Sequence, residues 1–280
     1  MAPWQFLSLC YLFISLPLGS RGEGNMINGN NPAEPDYPEI VTMSVYFHLC
    51  TVFYYFLSPF LGKDLYQYIA NGVYSFLALS VLILYARCAT IDPADQGILI
   101  AVNGALIYKS EANIDTREEN GYQQEGYGEE ALFCTRCNTE VRKNSKHCLS
   151  CDKCVDGFDH HSWCLNNCVG RKNYATFLCL VAVSLVWLAV ECGVGIAVFV
   201  RYFTAKTAIE DEIRETLGYG IISQVTFAVM VTLGTTLSVL ASLSLGGLFF
   251  FHMLLIRKGM TTYEYKVARR AQSEPPGLYQ

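Results

Sequence analysis

Charged side chains are what this sequence has least of. Only 16% of its 280 residues are Asp, Glu, Lys or Arg, while 52% are hydrophobic; about a quarter of a typical solvated globule is charged. That shortage excludes an ordinary soluble domain and makes membrane insertion the leading reading. A basic excess is missing too. The net charge is −5 and the aromatics sit in apolar runs rather than between Lys and Arg, which sets nucleic acid aside as a partner. There is no internal repeat. The twelve cysteines are not spread as a disulfide framework either, because seven of them fall between Cys134 and Cys168 beside His147, His160 and His161. Disulfide scaffolds are short and secreted, whereas this clustering reads as metal binding in a reducing compartment. Cys10, Cys50, Cys88, Cys179 and Cys192 lie in or next to apolar stretches, behave there as small hydrophobes and take no role.

What the chain does have is apolar length. Crossing a hydrocarbon core takes roughly 20 helical residues, and four stretches suffice: Val41–Phe60, Asn71–Ala89, Ala175–Phe203 and a tract from Tyr219 to Ile256. The last exceeds one span, so its crossing is placed at Leu233–Ile256, with the earlier half as a lumenal helix extension. Lys and Arg counts set the orientation. The turn between the first two spans has only Lys63 and the loop between the last two has Lys206 and Arg214, whereas Arg87 to Lys172 holds ten basic residues. The central loop and both termini are therefore expected on the cytosolic side. An apolar run from Phe6 to Leu18 followed by Gly19 and Ser20 has the form of a signal peptide, but it lacks a preceding Lys or Arg, and the basic loop opposes the lumenal placement that cleavage would force.

The expected fold is thus an all-α multi-pass membrane protein, with four transmembrane helices and a small cytosolic cysteine-rich domain between the second and third. In outline, 1–40 is a signal-like run and linker, 41–89 the first two spans, 90–132 a cytosolic tether and 133–174 the cysteine-rich domain. Residues 175–203 are the third span, 204–232 the lumenal loop and extension, 233–256 the fourth span and 257–280 a cytosolic tail.

Structural zinc takes four Cys or His ligands in a tetrahedron, and a CxxC turn brings two sulfurs to one side. Cys134 with Cys137 and Cys148 with Cys151 are such pairs, and Cys151 with Cys154 overlaps the second. With His147, His160, His161 and Cys168, the ligands suffice for two Cys3His sites. Spacing alone does not pair interleaved ligands, and metal here can serve simply to fold a loop poor in apolar residues.

At CxxC, HC, CxxC, FDHH, NNCVG and NY, Cys134 to Tyr174 resembles the cysteine-rich domain of the DHHC family of protein S-acyltransferases, with wording closest to plant-type members. The resemblance extends to Asp92, Pro93 and Gly97, similar to the family's DPG motif, and to Thr261, Thr262 and Glu264, similar to its TTxE motif. It implies a protein-cysteine S-palmitoyltransferase, in which a cysteine is acylated from a long-chain acyl-CoA, most often palmitoyl-CoA, and passes the acyl group to cysteines of membrane-proximal client proteins. It implies two structural zinc ions, one on Cys134, Cys137, His147 and Cys154, the other on Cys148, Cys151, His161 and Cys168. Asp159 and His160 match the pair that polarises the nucleophile. A carboxylate can fix an imidazole tautomer so that the ring takes a proton from a thiol. The bilayer-embedded helices would enclose the acyl chain, whose burial contributes roughly 0.8 kcal/mol per methylene. Members of the family populate ER, Golgi and plasma membranes.

The chain departs from the family at Ser162, which stands where the nucleophilic cysteine is expected. A thiol titrates near 8.5 and is readily activated beside a histidine, whereas a serine hydroxyl needs a complete base system and an oxyanion hole. Trp163 and Cys164 follow in a shifted arrangement, and Cys164 is the candidate substitute nucleophile. The alternative to an enzyme is a catalytically impaired relative that acts as a zinc-stabilised membrane scaffold; a zinc-stabilised adaptor unrelated to acyl transfer is the third reading. Glu191, inside the third span, is placed on a cavity wall or near lumenal water. His48 and His252 read as packed or interfacial residues, and Tyr202, Trp187 and Phe203 as interface aromatics.

Overall fold

The computed structural model describes residues 37–98, 131–218 and 223–273. The signal-like run Phe6–Leu18, most of the linker after it and the Gly/Tyr/Gln-rich passage between Gly121 and Gly128 lie outside the described residues. The chain divides into two compact units. One contains the residues up to Thr90 together with Thr176–Phe251, and the other contains Ile91–Ala175 together with the residues from His252 onward.

The element order begins with helix α1 (Tyr37–Val52), prolonged by a π turn at Phe53–Leu57 and a 3-10 turn at Ser58–Phe60, then α2 (Asp64–Thr90). Six short strands follow: β1 (Ala131–Cys134), β2 (Thr139–Arg142), β3 (Lys146–Cys148), β4 (Lys153–Val155), β5 (His160–Ser162) and β6 (Asn167–Val169). Helices α3 (Tyr174–Thr204), α4 (Lys206–Leu217), α5 (Gln224–Lys258) and α6 (Thr262–Ser273) complete the described chain. Four helical segments, of 23, 27, 31 and 35 residues, are long and apolar enough to cross a membrane.

Helical boundaries differ from the hydropathic ones for a physical reason. Apolarity marks what can lie in hydrocarbon, whereas backbone hydrogen bonding carries a helix on into polar surroundings. Thus α2 starts at Asp64 rather than Asn71, and α5 runs unbroken from Gln224, including the stretch before Leu233 expected as a helix extension. Helix α4 occupies what the sequence showed as a loop. It buries Ile209 and Ile213, four residues apart on one face, and Arg201 binds both Glu212 and the Phe60 carbonyl.

Inside the helical unit the contacts are aromatic and polar. Phe53 stacks on Tyr74 with centroids 3.5 Å apart, the Tyr46 hydroxyl donates to the Ala78 carbonyl at 2.8 Å, and Trp187 packs on both tyrosines. The Tyr74 hydroxyl donates to Glu191 at 2.9 Å. Glu191 is fully buried, so it is a polar tie between α2 and α3 rather than a group at lumenal water. The outward faces are apolar, with Phe76 71% and Leu243 69% exposed, as lipid-solvated helices require. Gly195 lets α3 approach α5 closely, since a Cβ there would lie 2.3 Å from the Thr235 hydroxyl oxygen.

The other unit has little apolar core of its own. Among the described residues its buried apolar cluster is Cys148, Val155 and Cys168, with Cys151 and Phe158 against it. Three antiparallel hairpins, β1–β2, β3–β4 and β5–β6, make up its strands. The segment after α2 is bound to them: Ala94 bridges Val155, the Asp95 N–H donates to the Cys154 carbonyl at 2.9 Å, and the buried Asp95 carboxylate receives Ser145 and the Arg142 N–H.

Gly195→Leu is expected to lower the stability of the detergent-solubilised protein by about 1–3 kcal/mol through overpacking, read as a fall in thermal midpoint, with Gly193→Leu as the control because a Cβ at Gly193 meets nothing within 4 Å.

Candidate metal centres and acid-base site

Each hairpin turns at a residue in the left-handed region: Asn138 (φ 51°), Asp152 (φ 47°) and Asn166 (φ 47°). Asn and Asp tolerate that conformation better than other residues with a Cβ. The first two follow CxxC directly, so each pair becomes a knuckle at a hairpin tip. On the strands, His147 lies opposite Cys154 across β3–β4, and His161 lies opposite Cys168 across β5–β6. Directly opposed residues share a face with Cβ atoms about 5 Å apart.

Two ligand sets result. Cys134 and Cys137, from the first knuckle, meet the His147–Cys154 pair of the next hairpin. Cys148 and Cys151, from the second knuckle, meet the His161–Cys168 pair of the last. Within each set the donor atoms lie within 4.8 Å of one another. The Cys137 and Cys154 sulfurs are 3.7 Å apart, those of Cys151 and Cys168 3.3 Å, and Nδ1 of His147 and of His161 each lies 3.3 Å from a sulfur. A disulfide would need about 2.05 Å. A tetrahedron with metal–sulfur bonds of about 2.3 Å has edges near 3.8 Å, so the donor sets fit a metal. Proton sharing agrees. Burial and the neighbouring thiols push the Cys154 thiol up, while hydrogen bonds from Cys151 and Cys168 pull the Cys148 thiol down. A divalent cation would displace the protons over which these thiols compete. His147 Nε2 lies 3.4 Å from the exposed Asp152 carboxylate without a hydrogen bond to it.

Successive residues of a strand face opposite ways. With His161 turned to its ligand set, His160 and Ser162 share the other face of β5. His160 Nδ1 lies 2.7 Å from Asp159 Oδ2. An ionised carboxylate only accepts, so this nitrogen carries a hydrogen, which leaves Nε2 as the nitrogen that can take a proton when the ring is neutral. Asp159 is 2% exposed, and its Oδ1 accepts the Thr262 N–H at 2.8 Å. Burial opposes its ionisation, but the hydrogen bonds from His160 and Thr262 outweigh that and hold the carboxyl below its ordinary value.

Thr262 is aimed by the end of α5 and the start of α6. Gly259 adopts φ +64°, and Met260 N–H to Leu255 carbonyl together with Gly259 N–H to Ile256 carbonyl form a Schellman ending. Thr261 and Glu264 then make a reciprocal capping box: the Glu264 N–H donates to the Thr261 hydroxyl at 3.2 Å, and the Thr261 N–H donates to Glu264 Oε2 at 2.8 Å. The first turn of α6 thus points a backbone N–H and the positive end of its dipole at Asp159.

The other residues singled out from the sequence are placed as follows. Asp92 pairs with Lys153 at 2.6 Å and accepts the Ala94 N–H. The Pro93 carbonyl accepts the Asp156 N–H, and the Gly97 N–H donates to Asp95. Trp163 packs edge-on against His161, with ring centroids 4.8 Å apart. Cys164 sits exposed in a 3-10 turn, outside the group formed by Asp159 and His160. The third member of that group is a residue the sequence left among packed ones. His252 is buried, its ring is 5.8 Å from that of His160, and its Nδ1 is 3.1 Å from the Tyr174 hydroxyl. A polar residue in an apolar run was the only signal for it. Asp95 was also missed, and Asn173, part of the NY motif, was given no role. Asn173 is fully buried and ties Gly170 to Cys168 through its amide.

Comparison with known proteins adds the following. The sequence model of the family described as DHHC palmitoyltransferase matches residues 128–269. Probable protein S-acyltransferase 20 of Arabidopsis thaliana is 40% identical over 85% of this chain and 43% of its own length. Probable protein S-acyltransferase 19 of the same plant is 43% identical over 85% of this chain and 42% of its own length. Palmitoyltransferase ZDHHC11 of Homo sapiens is 29% identical over 84% and 58%. The chain spans about half the length of these curated relatives.

Metal analysis of the purified protein is expected to give two ions per chain, and Cys137→Ser should remove the ion of its own set; an intact folded chain without metal contradicts the ligand sets. Thr261→Ala should lower stability by about 1 kcal/mol through loss of the cap, seen as a lower thermal midpoint.

Proposed function

Because the chain belongs to the DHHC palmitoyltransferase family, we propose that it moves a long-chain acyl group, palmitoyl first among them, from acyl-CoA to cysteine side chains of membrane-proximal client proteins. One observation carries the reading: the buried Asp159 is hydrogen-bonded to the partly buried His160, which lies on the face of β5 that also bears residue 162. The zinc-supported domain faces the cytosol, in ER, Golgi or plasma membranes, in keeping with its basic residues.

Each ligand set would hold one zinc ion, which supplies a tetrahedral crosslink with all four positions filled by protein. The chain's own residues do the rest. His160 Nε2 takes the proton from the side chain of residue 162 as that side chain attacks the thioester carbonyl. Asp159 stabilises the imidazolium that forms. The CoA sulfur leaves as the carbon–sulfur bond breaks and receives that proton. A client thiol then gives its proton to His160, attacks the acyl carbonyl, and residue 162 leaves and is reprotonated.

Ser162 sets how far this chain goes along that path. Its hydroxyl is a weaker nucleophile than a thiol, and the oxygen ester it would form is a poorer donor to a client thiol than a thioester is. The second reading rests on this residue alone: a scaffold that keeps the metal fold and binds acyl-CoA or clients with impaired turnover. The exposed turn that carries Cys164 supports no substitution of that thiol for residue 162.

With palmitoyl-CoA, the unmodified chain is expected to show little or no autoacylation, and Ser162→Cys to gain hydroxylamine-sensitive label, lost again in Ser162→Cys/His160→Ala. Label on the unmodified chain that disappears in Cys164→Ala would move the nucleophile to Cys164. A Ser162→Cys chain that binds two metal ions yet stays unlabelled would overturn the enzyme reading in favour of the scaffold.

A further inference from the structure

We infer that His252, pinned by the Tyr174 hydroxyl, is a positioning residue that fixes the His160 imidazole so that its Nε2 faces residue 162; the inference rests on the acyl-transfer reading.

The bond from Nδ1 to Asp159 sets one end of the His160 ring, and rotation about that bond decides whether Nε2 points at the atom whose proton it must take. His160 sits on a three-residue strand and is only partly buried, and a ring from α5 packs against it. His252 is 1% exposed and lies tilted against His160 with planes 37° apart. Donor atoms of Asp159, His160 and His252 fall within 4.8 Å of one another.

His252 is itself held. The Tyr174 hydroxyl, at the start of α3, meets its Nδ1 at 3.1 Å across 78 residues of sequence. An apolar pair of the same shape would pack about as well as a hydrogen-bonded polar one, so packing alone does not call for the buried histidine and half-buried tyrosine joined here. The pair stands against the one imidazole that must hold a direction. The end of α5 also leads into the turn that brings the Thr262 N–H to Asp159. One helix end therefore controls both members of the acid-base pair: the carboxylate through Thr262 and the imidazole through His252.

The test uses the full chain carrying Ser162→Cys, with His252→Phe, Tyr174→Phe and both together. His252→Phe keeps the ring and removes its nitrogens, and Tyr174→Phe removes only the anchoring hydroxyl. Each is expected to lower kcat for autoacylation roughly 10- to 100-fold, the scale of a misaligned catalytic group, with KM for palmitoyl-CoA and metal content unchanged. The double variant should be no slower than the slower single one, and His252→Asn, whose amide oxygen can accept from Tyr174, should recover part of the rate. Single variants within twofold of the parent, or losses that multiply in the double variant, overturn the inference. A second readout needs no acyl transfer. In the unmodified chain with 15N-labelled histidine, Tyr174→Phe should shift the His160 ring-nitrogen signals, and an unmoved His160 signal overturns the inference whatever the labelling shows. If Ser162→Cys stays unlabelled while those signals move, the acyl-transfer reading falls and the coupling of His252 to His160 stands.

Discussion

An ionised carboxylate taken out of water must find hydrogen bonds to replace those it loses, or it costs several kcal/mol. Asp159 is almost wholly buried, and its two oxygens are met from opposite directions, one by the His160 ring and the other by the Thr262 backbone. Much of the surrounding architecture is what those two contacts require. The His160 contact needs β5 to present the ring, and β5 is oriented by the residue next to it. The Thr262 contact needs a helix that starts at this point, which the Gly259 turn and the Thr261–Glu264 capping box provide.

The frame has only a small apolar cluster. Each ligand set joins the tip of one hairpin to the strands of the next, so a metal ion in each would crosslink the three hairpins in a chain rather than close them separately. The Asp95 carboxylate and the Asn173 amide add polar ties from outside the strands. Pleating then sets neighbouring histidines apart. When His161 turns inward to sulfur, His160 turns the other way, to Asp159, as the proposed division of duties between them needs.

Several of these features could be read in the sequence for clear reasons. Long apolar runs and the CxxC turns are local, and their chemistry is fixed by composition and spacing. Thr261 and Glu264 also have the spacing of a capping box, although as a motif they gave no hint that the helix they start serves Asp159. Helix α4 was hidden because its burial rests on two isoleucines in a charged segment. The pairing of ligands across hairpins depends on strand register, which three-residue strands do not announce. His252 was out of reach because its partners lie 78 and more residues away, and a histidine in an apolar run looks the same whether it merely packs or positions another group.

Ser162 is the residue at which framework and chemistry part. The face of β5, the Asp159 carboxylate and the His160 ring are all present there, and the side chain beside them carries oxygen where the proposed mechanism calls for sulfur. In the proposed function this framework directs an acyl group to position 162 and to no other. Peptide mass spectrometry of the Ser162→Cys chain after incubation with palmitoyl-CoA tests that most directly. The palmitoyl mass is expected on the peptide at residue 162. The same mass on Cys164, or on a cysteine of the helical unit, with residue 162 unmodified, would contradict it.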